Sequence, residues 1–188
     1  MITMTDIQIG IIAAVDKNNL IGYDDKIPWH KPADFKRFKK LTSDSAIIVG
    51  TKTWKTIPKL PNRYVIQISR SLEPVTEEER VSMASRCAGF HRVTNIAQAI
   101  SHAQKMGYKS IWIIGGAEIY QLGFGLANFI DLTRVDVSVE VEDPSKAVYF
   151  PTIPDNFQLS ETVVNEEDST LHHDRYINKL WERENAFR

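Results

Sequence analysis

Short apolar runs rich in β-branched residues recur along this chain, at Ile7–Val15, Ala46–Gly50, Tyr64–Ile68 and Ser110–Ile114. Runs this brief, with no polar face, read as strands covered on both sides, the way parallel sheets are built. Helical signals lie between and after them. Pro32–Leu41 opens with a proline suited to the first helical position and sets Phe35, Phe38 and Leu41 on one side. Thr53–Ile57, Ile96–Met106 and Ala117–Leu122 read as further helices. Later the pattern changes, and Phe129–Val139, Phe157–Val164 and Leu171–Trp181 follow one another as strands. Alternation first and strands alone later predict an α/β fold: a mostly parallel mixed sheet with a C-terminal antiparallel hairpin and flanking helices. The 188 residues suffice for one such domain, its core running from about residue 7 to 181, without metal or disulfide staples. The polar stretch Leu72–Arg86 reads as peripheral, with a short helix capped from Thr76 through Thr-x-x-Glu79, and Asp143–Ser145 reads as a turn.

The 23 basic and 24 acidic side chains nearly cancel, so no excess of charge calls for nucleic acid or an anionic membrane as partner. Cys87 is the one cysteine, which leaves no intrachain disulfide and suits a reducing compartment. The opening MITMTDIQIGIIAAV has no basic start, and Asp6 and Gln8 break its apolar run, so it reads as neither a secretory signal nor a membrane span. A cytoplasmic protein is expected. His172 and His173 are adjacent, so in a strand they face opposite ways and do not share a metal; no metal site is expected. Trp54, Trp112 and Trp181 read as core, Glu77–Glu79 as a solvated face and Cys87 as a buried thiol.

Three segments carry chemistry. In Ile27-Pro28-Trp29-His30-Lys31-Pro32-Ala33-Asp34, the acid falls in the first turn of a helix. First-turn acids commonly just complement the helix dipole. Asp34 and Phe38, however, share a face at i and i+4, and a carboxylate beside an aromatic ring suits a flat, hydrogen-bonding heterocycle. In Ile111–Tyr120 an apolar strand runs through Gly115-Gly116 into a helix, and in Ile47–Trp54 another runs through Gly50-Thr51-Lys52 into a second. Glycines let a ligand approach, and helix starts offer amides to phosphate. Ser69-Arg70-Ser71 after the Tyr64–Ile68 strand adds a hydroxyl and a guanidinium. Each alone is more simply a cap or a tight turn; together they suggest a ligand with several phosphates. None is the GxGxxG fingerprint of the common dinucleotide fold.

In order, the chain shows Ala13-Ala14-Val15, Ile21-Gly22, Pro28-Trp29, Pro32-Ala33-Asp34 with Phe38, and Gly50-x-x-Thr53-Trp54. Leu60-Pro61-Asn62-Arg63, Ile114-Gly115-Gly116-Ala117, Thr133 and Tyr149-Phe150-Pro151 follow. In this order and spacing the chain resembles dihydrofolate reductases from Ile7 to about Leu180. The resemblance implies a monomer that reduces dihydrofolate with NADPH. It implies that Asp34, supported by Thr133, holds the 2-amino group and N3 of the pterin, and that Trp29 positions a water. Ile12, Phe35, Phe38, Ile57 and Leu60 would line the substrate pocket, and Arg63 would pair with the α-carboxylate of the glutamate tail, where a lysine fits poorly. Tyr120 would stand where substrate and nicotinamide meet. The nicotinamide would also lie against Ala14, Ile21, Gly22 and Ile114. Gly116, Ala117 and Thr53 would meet the diphosphate, with Gly50, Gly115, Glu118 and Ile119 in the same two junctions, and Gly115–Gly116 is cis in the family. Lys52, Ser69 and Arg70 would take the 2′-phosphate. The loop Asn18–Trp29 would act as a lid. The chain departs from the family at Ser145-Lys146-Ala147-Val148, which replaces a usual Gly-Asp-Thr and its lid-bracing acid; at Thr51, where arginine is frequent; and at Lys31, commonly apolar. A pyrimidine reductase of riboflavin synthesis shares this fold but would lack the Trp29, Asp34 and Arg63 set; a catalytically silent relative would have lost it.

Overall fold

The computed structural model describes residues 7–71 and 73–186; the sequence readings on Met1–Asp6 and Leu72 lie outside them. The main sheet contains β1 (Gln8–Val15), β3 (Ala46–Gly50), β4 (Leu60–Ile68), β5 (Cys87–Val93), β6 (Ser110–Ile113), β7 (Phe129–Val135), β9 (Phe157–Val164) and β10 (Leu171–Asn178). Its order is β5-β4-β3-β6-β1-β7-β10-β9. The first six pair in parallel, and β10 runs antiparallel to both β7 and β9. The mixed sheet with its C-terminal hairpin is therefore as expected.

Alternate residues of the central strands feed two apolar clusters, one on each face, as the two-residue strand period requires. Ile11, Ala46, Ile48, Ile111 and Ile113 join one cluster with α4 (Ile96–Lys105) and α5 (Ala117–Gly123). Ile12, Ile47, Val49, Trp112 and Ile114 join the other with α1 (Pro32–Thr42), α2 (Thr51–Thr56) and α3 (Glu77–Ala84). Trp54 and Trp112 are core residues, and the buried Cys87 Sγ lies 3.4 Å from the Met83 carbonyl. The Thr76 capping box forms in full, with Thr76 N donating to Glu79 Oε2 and Glu79 N to Thr76 Oγ1.

Two strand bounds need correction, and two features had no reading in the sequence. The strand read as Phe129–Val139 ends at Val135, because the chain turns towards the buried carboxylate of Asp16, whose Oδ2 accepts from Val139 N at 3.0 Å. The strand read as Leu171–Trp181 ends at Asn178, where the side chain accepts from Leu180 N at 3.1 Å and starts α6 (Lys179–Ala186). Strand β5 carries no apolar run, since only Cys87 and Val93 of it are buried at the sheet edge. Within the lid stretch, β2 (Leu20–Tyr23) pairs with β8 (Ala147–Tyr149) to form a separate two-stranded sheet.

Candidate active site

Helix α1 places Asp34 half-buried against β7, where the buried Thr133 hydroxyl is its hydrogen-bond partner. Burial pushes the Asp34 carboxyl above the ordinary carboxylate range; Thr133 and then Arg37 oppose that shift, and Asp131 adds to it. Asp131 is 0% exposed and lies between Arg37 Nη2 and Arg175 Nη2, the latter at 2.6 Å. Arg175 also covers the Phe129 ring at 4.6 Å. Thr133 itself is 3.1 Å from His173 Nδ1 on β10. The carboxylate of α1 thus rests on a buried polar floor.

Four of the expected pocket residues, Ile12, Phe38, Ile57 and Leu60, come together with Ile114 in the apolar cluster beneath α1. Phe35 does not join them: it is 38% exposed, its ring 5.9 Å from that of His30. Trp29 is half-buried. Arg63 is buried at the end of α1, donating to the carbonyls of Pro61 (2.7 Å) and Lys39 (3.5 Å) and to Thr42 Oγ1 (3.3 Å). Tyr120 and Ile21 belong to the opposite cluster, and the Tyr120 hydroxyl lies between the carbonyls of Ile12 and Ile114, at 2.9 and 2.8 Å.

The two glycine junctions are neighbours because β3 pairs with β6, and Gly50 N donates to Gly115 O at 2.8 Å. The Gly115–Gly116 peptide is cis, and Gly115 has a φ of 106° that favours glycine. A Cβ would meet the Tyr120 ring at 2.8 Å from position 115, Thr53 Oγ1 at 3.1 Å from 116, and Ile119 at 3.0 Å from 50. Side chains cap α3 and α4, through Thr76 and Asn95, whereas α2 and α5 start at Gly50 and Gly116 with no side-chain cap. Their first amides are open to a ligand that supplies acceptors. Ala117 is half-buried there, and Ile119 is core. Beyond them, Arg70 reaches Glu118 at 3.8 Å and Lys52 reaches Asp25 at 3.0 Å, all on the surface. A cavity of about 380 Å³ opens beside this rim, with Thr51, Ser69, Ser71 and Arg92 in its wall.

The loop expected to act as a lid is tied down on its far side. Besides the β2–β8 pairing around Gly22, Asp24 N donates to Lys146 O (3.1 Å), Phe150 N to Asn19 O (2.8 Å) and Asp143 N to the Tyr23 hydroxyl (3.2 Å). Lys146 Nζ is 3.3 Å from Asp24 Oδ1, so a cation braces the lid from the stretch where the family usually places an acid. Lys31 turns away from the cleft to Asp168 (3.1 Å) and Thr170 (2.6 Å). The groups that sequence reasoning missed are Arg37, Asp131, Asn165 and His173, all behind Asp34. Their one sequence signal is an acid inside the apolar run Phe129-Ile130-Asp131-Leu132, which a buried strand accepts only when paired.

A lone carboxylate over an apolar cleft, next to two uncapped glycine junctions, calls for comparison with known proteins. The sequence model for dihydrofolate reductase matches residues 8–183. The dihydrofolate reductase of Buchnera aphidicola is 38% identical over 143 residues, covering 76% of this chain and 78% of that protein. That of Neisseria gonorrhoeae is 37% identical over 150 residues, covering 78% and 81%, and the type 9 enzyme of Escherichia coli is 33% identical over 136, covering 70% and 72%. Among solved structures, a dihydrofolate reductase from Enterococcus faecalis complexed with NADP(H) and RAB-propyl superposes with a TM-score of 0.72 at 23% identity, covering 90% of this chain and 95% of that one. The motif order read from the sequence, the sheet and these matches agree, and the chain belongs to the dihydrofolate reductase family.

Proposed function

We infer that this protein reduces 7,8-dihydrofolate to 5,6,7,8-tetrahydrofolate with NADPH. The observation that carries the reading is the half-buried Asp34, backed by Thr133 and set over the cluster of Ile12, Phe38, Ile57, Leu60 and Ile114. Such a wall binds a flat bicyclic ring by its faces and grips its edge with two acceptor oxygens.

NADPH, when bound, supplies the hydride, from C4 of its nicotinamide to C6 of the pterin. The chain's residues fit that group: Gly116 keeps the approach to the Thr53 hydroxyl clear, where a Cβ would sit 3.1 Å from its oxygen, and the uncapped starts of α2 and α5 provide donors. Gly116, Ala117 and Thr53 meet the diphosphate, while Lys52, Ser69 and Arg70 take the 2′-phosphate. Ala14, Ile21 and Ile114 bound the nicotinamide side, and Tyr120 braces Ile12 and Ile114 from below. Asp34 accepts from the pterin's 2-amino group and N3 and polarises the ring, so that N5 takes its proton from a water held near Trp29. Arg63, fixed by Pro61, Lys39 and Thr42, faces the glutamate tail. The lid excludes bulk water during transfer. No described helix is long and apolar enough to cross a membrane; action in the cytoplasm as a monomer is part of the proposed reading.

The test is direct. Folded protein mixed with NADPH and dihydrofolate should lose the reduced-nicotinamide absorbance and yield tetrahydrofolate. Well-folded protein that shows no turnover overturns the reading.

A further inference from the structure

Behind Thr133 stands a side chain that the reaction above does not use. His173 is 7% exposed and pairs directly with Thr133 in the β7–β10 register. Its Nδ1 is 3.1 Å from Thr133 Oγ1 and its Nε2 is 2.9 Å from Asn165 Nδ2. The Asn165 amide is oriented independently of the histidine, because its Oδ1 accepts from the backbone amides of Glu167 (2.9 Å) and Asp168 (3.0 Å). The end that faces the imidazole is therefore the NH₂, which can only donate.

That fixes the rest by elimination. Nε2 must offer its lone pair, so the proton of a neutral imidazole is on Nδ1, and Nδ1–H donates to Thr133 Oγ1. With an incoming donor on its oxygen, the Thr133 hydroxyl can send its own proton to Asp34, the carboxylate it is paired with. We propose that His173 is a positioning residue: Asn165, His173 and Thr133 form a one-way hydrogen-bond chain that holds Thr133 as a donor to Asp34. Each carboxylate oxygen can accept two hydrogen bonds, so both stay available to the substrate edge. The proposal rests on the reading that Asp34 grips the substrate.

The surroundings keep the chain in that state. Burial and Arg37 push His173 down to about 4, so it is neutral at physiological pH. His172 acts in the same direction, and Asp131 and Asp174 act against it. Glu161 and Arg175 share with His173 and Arg37 the wall of a cavity of about 310 Å³. A protonated His173 would also set Nε2–H against the Asn165 NH₂, so protonation and the relay exclude each other.

Two measurements test this. In ¹⁵N-labelled wild-type protein, correlation spectra should show His173 as the Nδ1–H tautomer at pH 7; an Nε2–H tautomer overturns the proposal, whatever the enzyme reduces. In kinetics, His173→Leu should lower kcat/KM for dihydrofolate about five- to tenfold, the size of one oriented hydrogen bond, and shift the apparent ionisation of Asp34 upwards. His173→Asn, whose amide can stand in for Nδ1–H, should recover most of the loss. Asn165→Asp keeps both backbone bonds of the turn but at pH 8 draws the imidazole proton to Nε2, so it should reproduce the His173→Leu loss with the histidine still present. If His173→Leu fails to fold, Asn165→Asp decides. A variant without the donor that keeps the wild-type pH profile overturns the relay, while wild-type protein inert towards dihydrofolate overturns the substrate reading alone.

Discussion

The two sides of the cleft are held by opposite means. Under Asp34 the groups are buried and each has a fixed partner: Asp131 between two arginines, Thr133 against His173, His173 against Asn165. Along the rim proposed for the phosphates the charged groups are on the surface, with Lys52 and Arg70 side chains 83% and 95% exposed and paired with exposed carboxylates. Exposed pairs of this kind hold weakly and are screened by salt, whereas a buried pair broken on one side leaves an uncompensated charge. The wall proposed for the pterin is thus organised before any ligand arrives, and the rim proposed for the phosphates is left for the ligand to order. A hydride acceptor must be placed within a fraction of an ångström, which a preformed wall provides; a flexible multi-phosphate tail tolerates looser capture.

The largest expected effect lies at the acid itself. Asp34→Asn should lose roughly 10²–10⁴-fold in turnover at neutral pH, because an amide cannot present two acceptors to the pterin edge. A loss under tenfold in folded protein would remove Asp34 from the reaction. The same variant sharpens the contrast through stability. Burial raises the folded-state ionisation of Asp34, so the folded protein holds that proton more tightly than the unfolded chain does. Its contribution is present below the ordinary carboxylate pKa and is lost as pH rises through the folded value. The amide carries no charge to bury, so thermal melts should show the variant more stable than wild type at pH 7, with the gain shrinking towards pH 3.

Next in size is the floor. Asp131→Asn leaves Arg37 and Arg175 facing each other without their shared acid and should cost about 1–3 kcal/mol in urea unfolding, because the two arginines left behind are partly solvated. Lys52→Ala, on the rim, should leave the unfolding midpoint unchanged. If both variants unfold alike, the two sides are not built differently. On the rim the effect belongs in binding: Arg70→Ala should raise the Michaelis constant for NADPH roughly tenfold, as for a lost charge-assisted bond, and leave that for NADH nearly unchanged. Equal effects on the two cofactors would separate Arg70 from the 2′-phosphate.

The same contrast decides what the sequence made legible. Strands β3 and β6 are unbroken apolar runs and the glycine junctions punctuate them, so their places could be read before any coordinates. Strand β5 could not, since an edge strand with two buried residues leaves no run to see. Asp34 stood out through Phe38 on the same helical face. Its floor did not, because Asp131 meets Arg175, and Thr133 meets His173, only once β7 and β10 pair in one particular register. A one-residue slip would send each of these side chains to the other face. His173 could be read only as half of a pair that faces opposite ways; its partners are set by tertiary structure. Lys146 was visible only as a missing acid, and the salt bridge it makes with Asp24 depends on the β2–β8 pairing.

That bridge gives the smallest expected effect and the finest test of the loosely held side. Lys146→Ala removes the 3.3 Å contact to Asp24 but leaves the backbone bond from Asp24 N to Lys146 O, so the lid keeps its place and overall stability should not move. What should change is local opening: hydrogen exchange of the Leu20–Tyr23 amides should quicken a few-fold, as expected for the loss of an exposed ion pair in a segment with few buried contacts. Lys146→Glu, which sets like charges together, should quicken it further, and adding Asp24→Lys should bring it back towards the wild-type rate, a coupling that independent sites would not show. If the double variant opens as fast as the sum of its parts, the lid is held by its backbone pairing alone, and the exchange of acid for cation in this stretch has no bearing on how the cleft closes.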